Sequence, residues 1–110
     1  MKDDRLYLTH IKEAIDKINL YTNAGYGQFA DDPKTQDAVI RNFEIIGEAS
    51  KQISEQTKQL RSDIPWRDVA GLRDVLIHDY MGVDIKEVWN IVANHIPVLE
   101  KAIDELLGLV

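Results

Sequence analysis

The stretch Asp32-Pro33-Lys34-Thr35-Gln36-Asp37-Ala38-Val39-Ile40-Arg41-Asn42-Phe43 begins as an α-helix would and continues with a helical period. Asp32 is a residue type that caps a helix N-terminus, and Pro33 suits the first helical position, where its missing N–H costs nothing. From Val39 onward, apolar residues recur every three or four positions. This apolar stripe continues through Phe43, Ile46, Ala49 and Ile53. We expect the helix to end at about Leu60.

Helical periodicity also marks the segment before this helix. Asp3 or Asp4 can cap a helix that ends around residues 23–25, where Gly25 can adopt a left-handed conformation. Its apolar positions, three or four residues apart, are Tyr7, Ile11, Ile15, Ile18 and Tyr21. Residues 26–31 are expected to form a loop.

The second half of the chain also predicts helices. Pro65 breaks the preceding helix and can begin a short one, and Gly71 can let two elements approach closely. The following helix is expected to end at about Gly82. Asp84 then caps a last helix, which Pro97 should kink or divide. The apolar stripe of that helix contains Val88, Ile91, His95, Val98, Ala102 and Leu106, so His95 is expected in the core or an interface.

No strand pattern interrupts these segments. The 110 residues are therefore expected to form one all-α domain, spanning residues 1–110, with an antiparallel bundle of four to five helices. The composition, 45% hydrophobic and 29% charged, is typical of a soluble globular protein. The first residues do not resemble a signal peptide and no apolar run approaches a membrane span, so we expect a cytoplasmic protein without membrane contact.

Composition also argues against several kinds of site. The chain has no cysteine, which excludes a disulfide framework and any thiolate metal site. Its three histidines are scattered and show no H-x-x-x-H spacing, so we expect no metal and no cofactor. The net charge of −6 argues against binding nucleic acid through a general positive field. Residues 51–73, however, carry five basic and three acidic side chains, so this is the only basic segment. It makes Lys51 and Arg67 candidate phosphate-binding residues.

The stretch from Arg73 to Tyr80, which follows this basic segment, carries the candidate chemistry. Within eight residues it contains a guanidinium, two carboxylates, an imidazole and a phenol around the apolar run Val75-Leu76-Ile77. Arg73 can hold a phosphate, and His78 titrates near neutrality and can transfer protons. On a helix Asp74 lies one turn before His78 and can orient its ring.

Arg73 and His78 are five residues apart, which is roughly 140° around a straight helix. On one such helix they cannot converge on a single atom. Two arrangements remain open: the helix ends near His78, or Arg73 of one chain acts with His78 of a second chain. The spacing is therefore compatible with a homodimer.

The pattern Arg73-x4-His78-x-Tyr80 resembles the R-x4-H-x-Y signature of the HepT-like toxins, which belong to the HEPN superfamily. The resemblance extends to Arg41–Lys51, to Ile64–Arg73, and to Gly82-Val83-Asp84 with Val88-Trp89, and so covers nearly the whole chain. It implies a HEPN-like helical bundle that acts as a homodimeric, metal-independent endoribonuclease on RNA, such as tRNA or mRNA. The implied catalytic residues are Arg73 and His78, with Asp74 in an orienting role.

The resemblance also implies a partner. HepT-like toxins are paired with a nucleotidyltransferase antitoxin of the MNT type, which transfers AMP to the tyrosine of the motif, here Tyr80. Two alternatives remain at this point. The chain could be a non-catalytic subunit that helps a nucleotidyltransferase hold nucleotide or substrate, or it could be a plain dimerisation module in which His78 and Tyr80 only pack.

Overall fold

The computed structural model describes residues 3–72 and 84–110 of the chain. The described residues form seven α-helical segments and one π-helical segment. These are α1 (Asp4–Tyr21), α2 (Tyr26–Asp31), α3 (Pro33–Lys51), α4 (Glu55–Gln59), α5 (Trp66–Ala70), α6 (Ile85–Asn90), the π segment (Ile91–His95) and α7 (Ile96–Leu109). The predicted all-α bundle is confirmed, although the chain is divided more finely than expected. Within the described ranges, no helix is both long enough and apolar enough to cross a bilayer.

Side-chain contacts show that α1 runs antiparallel to α7. Near the start of α1, the Arg5 guanidinium donates to the carbonyl oxygen of Leu107 at 2.8 Å. Farther along α1, Lys12 Nζ lies 2.7 Å from Glu100 Oε2. The start of α1 thus lies beside the end of α7, and later residues of α1 lie beside earlier residues of α7.

Helix α1 also runs antiparallel to α3, since the start of α1 contacts the segment that follows the end of α3. Asp4 is buried there, and its carboxylate accepts from Ser54 N at 3.0 Å, from Ser54 Oγ at 2.6 Å and from the Thr57 hydroxyl. Burial raises the pKa of Asp4, but the hydrogen bonds from Ser54 and Thr57 outweigh it and lower the pKa to about 2. This cluster joins α1 to α4.

The core lies between α1, α3 and α7 and is made of the apolar stripes of these helices. Its largest fully buried side chains are Phe29, Phe43, Leu8, Ile11, Ile15, Ile18, Ile46, Ile96, Ile103 and Leu106. The stripe predicted for α1 is confirmed at Ile11, Ile15 and Ile18, whereas Tyr21 is 37% exposed. The stripe predicted for α3 is confirmed from Val39 to Ile53.

Several predicted helix boundaries are confirmed. Asp32 caps α3 by accepting from Lys34 N, and Asp84 caps α6 by accepting from the backbone N–H groups of residues 86 and 87. Pro65 precedes the short helix α5. Gly25 has the predicted positive φ, +92°, which an L side chain rarely adopts.

Two predicted boundaries are wrong. The expected loop at residues 26–31 is the helix α2, which buries Phe29 against the core. The helix expected to run to Leu60 ends instead at Lys51, and α4 begins after Ser54, whose hydroxyl accepts from Thr57 N. A good N-cap residue at position 54 therefore starts a new helix where periodicity alone predicted continuation.

The π segment explains why the stripe predicted for the last helix is partly wrong. A π turn holds an extra residue, so the positions after it rotate relative to a regular helix. As a result Ile96 and Leu99 are buried, while His95 is exposed and Val98 is 52% exposed. The π segment ends at His95, two residues before Pro97, which has no N–H for the regular helical bond. The predicted irregularity at Pro97 is confirmed. A core position for His95 is wrong, whereas its expected alternative, a position in an interface, stays a prediction.

Candidate functional site

The four motif residues named from the sequence, Arg73, Asp74, His78 and Tyr80, lie outside the described residues. The predicted end of the motif helix near Gly82 lies outside them as well. The structure describes the chain up to Leu72 on one side of the motif and from Asp84 on the other. The helix before the motif is α5, and the helix after it is α6. The contacts of these two helices anchor the chain on either side of the motif.

On the entry side, α5 is anchored in two ways. The buried Trp66 indole N–H donates to the carbonyl oxygens of Lys58, at 3.2 Å, and Arg61, at 3.0 Å. Farther along α5, the carbonyl oxygen of Ala70 lies against Gly47 of α3, where an added Cβ would stand 3.1 Å from it. A helix backbone can approach this closely only where the facing residue has no side chain. The close approach predicted for Gly71 thus occurs at Gly47 instead.

On the exit side, α6 is anchored by its cap and by its buried face. The Asp84 carboxylate accepts from Lys86 N at 3.0 Å and from Glu87 N at 3.2 Å, which satisfies two N–H groups of the first turn. Val88 is buried, and the ring of Trp89 packs 5.3 Å from the ring of Phe29 on α2. The chain that leaves the motif is therefore held against the α2 end of the bundle.

An apolar groove of about 290 Å³ lies between α5 and the α6–α7 segment. It is lined by Ile64, Pro65, Asp68, Val69, Leu72, Glu87, Ile91, His95, Ile96, Val98 and Leu99. Leu72 directly precedes the motif, so the groove borders the entry side. Sequence periodicity did not predict this groove, because it depends on how α5 packs against the rotated face that follows the π segment.

Not all cations of the basic segment are equally available. Arg61 donates to both carboxylate oxygens of Asp63, at 2.9 and 2.8 Å, and lies 2.6 Å from Glu105. The hydrogen bond from Arg61 lowers the pKa of Asp63 below its ordinary value, while the loss of solvation opposes this effect. Arg61 is thus neutralised by neighbouring carboxylates.

The two predicted phosphate-binding residues, Lys51 and Arg67, also differ in whether a carboxylate lies close to the cation. Lys51 is exposed at the end of α3, and its Nζ lies 3.2 Å from Glu48 Oε1. Arg67 is exposed on α5, and no ion pair joins it to another described residue. Arg67 lies six residues before Arg73. Of the two, Arg67 is closer to the motif in the sequence and is the one without an ion-pair partner in residues 3–72 and 84–110.

The two histidines outside the motif, His10 and His95, lie on different helical segments. His10 is exposed on α1, where its ring packs edge-on against Tyr7 at 5.8 Å, and His95 is exposed beside the groove. Over residues 3–72 and 84–110, no group of three or more His, Cys, Asp or Glu side chains could hold a metal ion.

Comparisons with known proteins assign the chain to a family. The family model described as "Ribonuclease HepT-like" matches residues 11–106. A protein of Thermococcus cleftensis named "Probable ribonuclease HepT" is 48% identical over 101 residues, which cover 91% of this chain and 92% of the relative. A provisionally named RNase of Caldanaerobacter subterraneus subsp. tengcongensis is 38% identical over 108 residues, covering 97% and 96%.

A third relative, a provisionally named RNase of Methanocaldococcus jannaschii, is 41% identical over 107 residues, covering 96% of this chain and 88% of the relative. No solved structure gives a significant match to the chain. The family match includes both anchored ends and the whole stretch between them. The chain therefore belongs to the HepT-like ribonuclease family.

Proposed function

We propose that this chain is the ribonuclease toxin of a toxin–antitoxin pair and cleaves cytoplasmic RNA without a metal ion. The observation that carries the proposal is the family match over residues 11–106, which includes Arg73-x4-His78-x-Tyr80. The anchoring of Leu72 by α5 and of Asp84 by α6 supports it, since a catalytic segment needs a rigid frame on both sides.

The chemistry follows from RNA carrying its own nucleophile. His78 removes the proton of the 2′-hydroxyl, which attacks the adjacent phosphorus while the bond to the 5′-oxygen breaks. The leaving oxygen takes a proton from an imidazolium, and the products end in a 2′,3′-cyclic phosphate and a 5′-hydroxyl. Arg73 holds the phosphate and stabilises its developing charge, and Asp74 orients His78. Arg67 and Lys51 bind neighbouring phosphates.

The test is to incubate the purified chain with bulk RNA or tRNA in excess EDTA and analyse the termini by mass spectrometry. Cyclic phosphate ends are expected. Removing a proton-transfer group typically slows such a reaction by ~10²–10⁴, so His78→Ala should lose cleavage. His10→Ala is the matched control, because His10 is exposed on α1. Cleavage that survives His78→Ala, or that requires added metal, would contradict the proposal.

We further propose that the active form is a homodimer with composite sites, in which Arg73 of one chain acts with His78 of the other. The roughly 140° between these positions on a straight helix supports this arrangement. Mixing inactive Arg73→Ala and His78→Ala chains tests it, since a mixed dimer would contain one complete composite site. Recovery of activity on mixing is expected. If both residues act within one chain, the mixture stays inactive.

The proposed antitoxin is a nucleotidyltransferase that modifies Tyr80. The phenol oxygen of Tyr80 attacks the α-phosphate of ATP, pyrophosphate leaves, and the phenol proton passes to solvent. The resulting adenylate competes with RNA for the guanidinium of Arg73. Coexpression with a nucleotidyltransferase of the MNT type should add the mass of one AMP group, and Tyr80→Phe should abolish that addition.

One observation favours a second candidate function, a non-catalytic subunit of a nucleotidyltransferase. The apolar groove beside the motif, with Val98 52% exposed at its edge, is a surface that a protein partner could cover. Expression in cells separates the two functions. Growth arrest that His78→Ala relieves supports the ribonuclease, whereas unaffected growth supports the subunit.

A further inference from the structure

Three aromatic rings meet where α2 packs against α6. The Tyr26 and Trp89 ring centroids are 5.5 Å apart at an interplanar angle of 66°, and Trp89 lies 5.3 Å from Phe29. Phe29 is fully buried, Trp89 is half-buried, and Tyr26 is 40% exposed. The three rings therefore extend from the core to the surface, and the Tyr26 ring and part of the Trp89 ring are exposed to solvent.

The side chains of Tyr26 and Trp89 differ from that of Trp66 in their hydrogen bonds. The indole N–H of Trp66 donates to two backbone carbonyls, whereas no hydrogen bond joins the side chain of Tyr26 or Trp89 to another described residue. Tyr26 directly follows Gly25, whose φ of +92° turns the chain into α2. The fold thus holds an exposed tyrosine against a tryptophan whose indole N–H has no hydrogen-bond acceptor among the residues that the structure describes.

Connectivity brings these rings close to the motif. Asp84 follows Tyr80 by four positions, and four residues span at most about 14 Å. From Asp84 to Trp89 the rise along α6 adds about 7.5 Å. The ring of Trp89 is therefore within reach of a few nucleotides of single-stranded RNA whose backbone is held at the motif.

The charge around the rings favours contact with a base over contact with a phosphate. Helices α2 and α6, with the residues that flank them, carry the carboxylates of Asp31, Asp32, Asp84 and Glu87 against the single ammonium of Lys86. A phosphate would be repelled there, while the π-face of a nucleobase carries no net charge. Unpaired bases stack on exposed tyrosine and tryptophan rings with little dependence on sequence.

We propose that Tyr26 and Trp89 form a stacking platform for an unpaired base of the RNA substrate. The platform extends the proposed ribonuclease function, on which it rests, and it assigns a substrate class: single-stranded RNA or loops rather than uninterrupted duplex. The cations near the motif hold the RNA backbone, and the platform holds a base a few nucleotides away.

Binding to a 2′-O-methyl oligonucleotide tests the platform without cleavage, because the nucleophile is blocked. Loss of one stacked base corresponds to roughly 10- to 100-fold weaker binding, so Tyr26→Ala should raise the Kd by that factor. Tyr26→Phe should stay near wild type, because stacking needs only the ring. Tyr21→Ala is the matched control, since Tyr21 is 37% exposed and makes no ring contact with another described residue.

Intrinsic fluorescence gives a second readout. Trp66 is buried, so quenching by the oligonucleotide should come from Trp89 and should disappear with an oligonucleotide that lacks bases. Equal affinity of wild type and Tyr26→Ala, or equal quenching with and without bases, would overturn the platform. If the chain still cleaves RNA in that case, only the platform fails. If base-dependent binding persists without cleavage, the ribonuclease proposal fails and the platform stands.

Discussion

Gly47 of α3 lies directly against the carbonyl oxygen of Ala70, at the end of α5, so that a Cβ at position 47 would stand 3.1 Å from it. This contact fixes the distance between α3 and the helix that leads into the motif. Because Leu72 follows Ala70 by two residues and directly precedes Arg73, a shift of α5 would also shift the start of the motif.

Gly47→Ala tests this coupling. Alanine favours the helix by about 1 kcal/mol relative to glycine, but overpacking against a backbone atom costs about 1–3 kcal/mol. We therefore expect the free energy of unfolding, measured by urea denaturation, to fall by roughly 1 kcal/mol. The rate of RNA cleavage, measured without urea where both proteins are folded, should fall several-fold. Gly47→Val should cost more in both measurements.

The control is Gly108→Ala, because Gly108 is also helical and no atom lies within 4 Å of its added Cβ. That variant should be as stable as wild type or more so, with unchanged cleavage. If Gly47→Ala behaves in the same way, α5 can move without affecting the motif, and the proposed coupling is wrong.

The cluster around Asp4 predicts how stability depends on pH. The pKa of Asp4 is lowered from 3.8 to about 2, so its stabilising contribution is present above about pH 4 and is lost as the pH falls toward 2. We expect Asp4→Asn to lower the free energy of unfolding by about 1–2 kcal/mol near neutral pH. The difference from wild type should shrink at about pH 2.5.

Asp3→Asn is the matched control, since Asp3 is exposed and makes no side-chain capping bond. Its effect on the free energy of unfolding should be small. If Asp4→Asn lowers the free energy of unfolding equally at neutral pH and at about pH 2.5, the charge of the Asp4 carboxylate does not stabilise the fold.

The sequence predicted the helices of this chain well where an apolar stripe and a capping residue agree. Asp32 with the stripe from Val39 to Ile53, and Asp84 ahead of Val88, are such cases. Prediction failed where a local feature overrides the period. Periodicity predicted one helix to Leu60, but the Ser54 cap starts a separate helix. The π segment before Pro97 rotates His95 out of the core.

For the candidate site, the sequence names residues but does not show what anchors them. Motif and spacing name Arg73 and His78, but only packing shows that Gly47, rather than Gly71, sets the close approach at the entry side. The sequence also does not show which cations of the basic segment are free to bind a phosphate. Whether a cation is neutralised, as Arg61 is, depends on carboxylates brought close by folding, such as Glu105.

Lys12 is the centre of the ion-pair group between α1 and α7. Its Nζ lies 2.7 Å from Glu100, 3.1 Å from Asp104 and 3.6 Å from Asp16. The hydrogen bond to Glu100 raises the pKa of Lys12 despite partial burial, so the ammonium stays charged into the alkaline range. Replacing it leaves three neighbouring carboxylates without their cation.

We expect Lys12→Met to destabilise the fold by about 1 kcal/mol at low salt, because the carboxylates then repel one another. The loss should diminish toward about 1 M salt, where such repulsion is screened. Lys17→Met is the control: Lys17 is exposed on the same helix, and no ion pair joins it to another described residue. A salt-independent loss would point to packing of the methylene chain instead.

The different environments of Lys51 and Arg67 predict unequal roles in RNA binding. A phosphate that binds Lys51 must compete with Glu48, 3.2 Å from its ammonium, whereas the guanidinium of Arg67 is unshared among the described residues. Arg67→Gln should therefore weaken binding to an uncleavable single-stranded RNA more than Lys51→Gln does. Each lost phosphate contact should reduce the slope of log K against log salt by about 0.7.

Glu48→Gln provides the complementary test, since it frees Lys51 and should strengthen binding by a small factor. Arg41→Gln is the control, because Arg41 is an exposed arginine on α3 outside the basic segment. If Arg41→Gln reduces the salt slope as much as Arg67→Gln, the RNA senses only the overall charge of the protein. If only Arg67→Gln does so, the RNA backbone passes along α5 on its way to the motif.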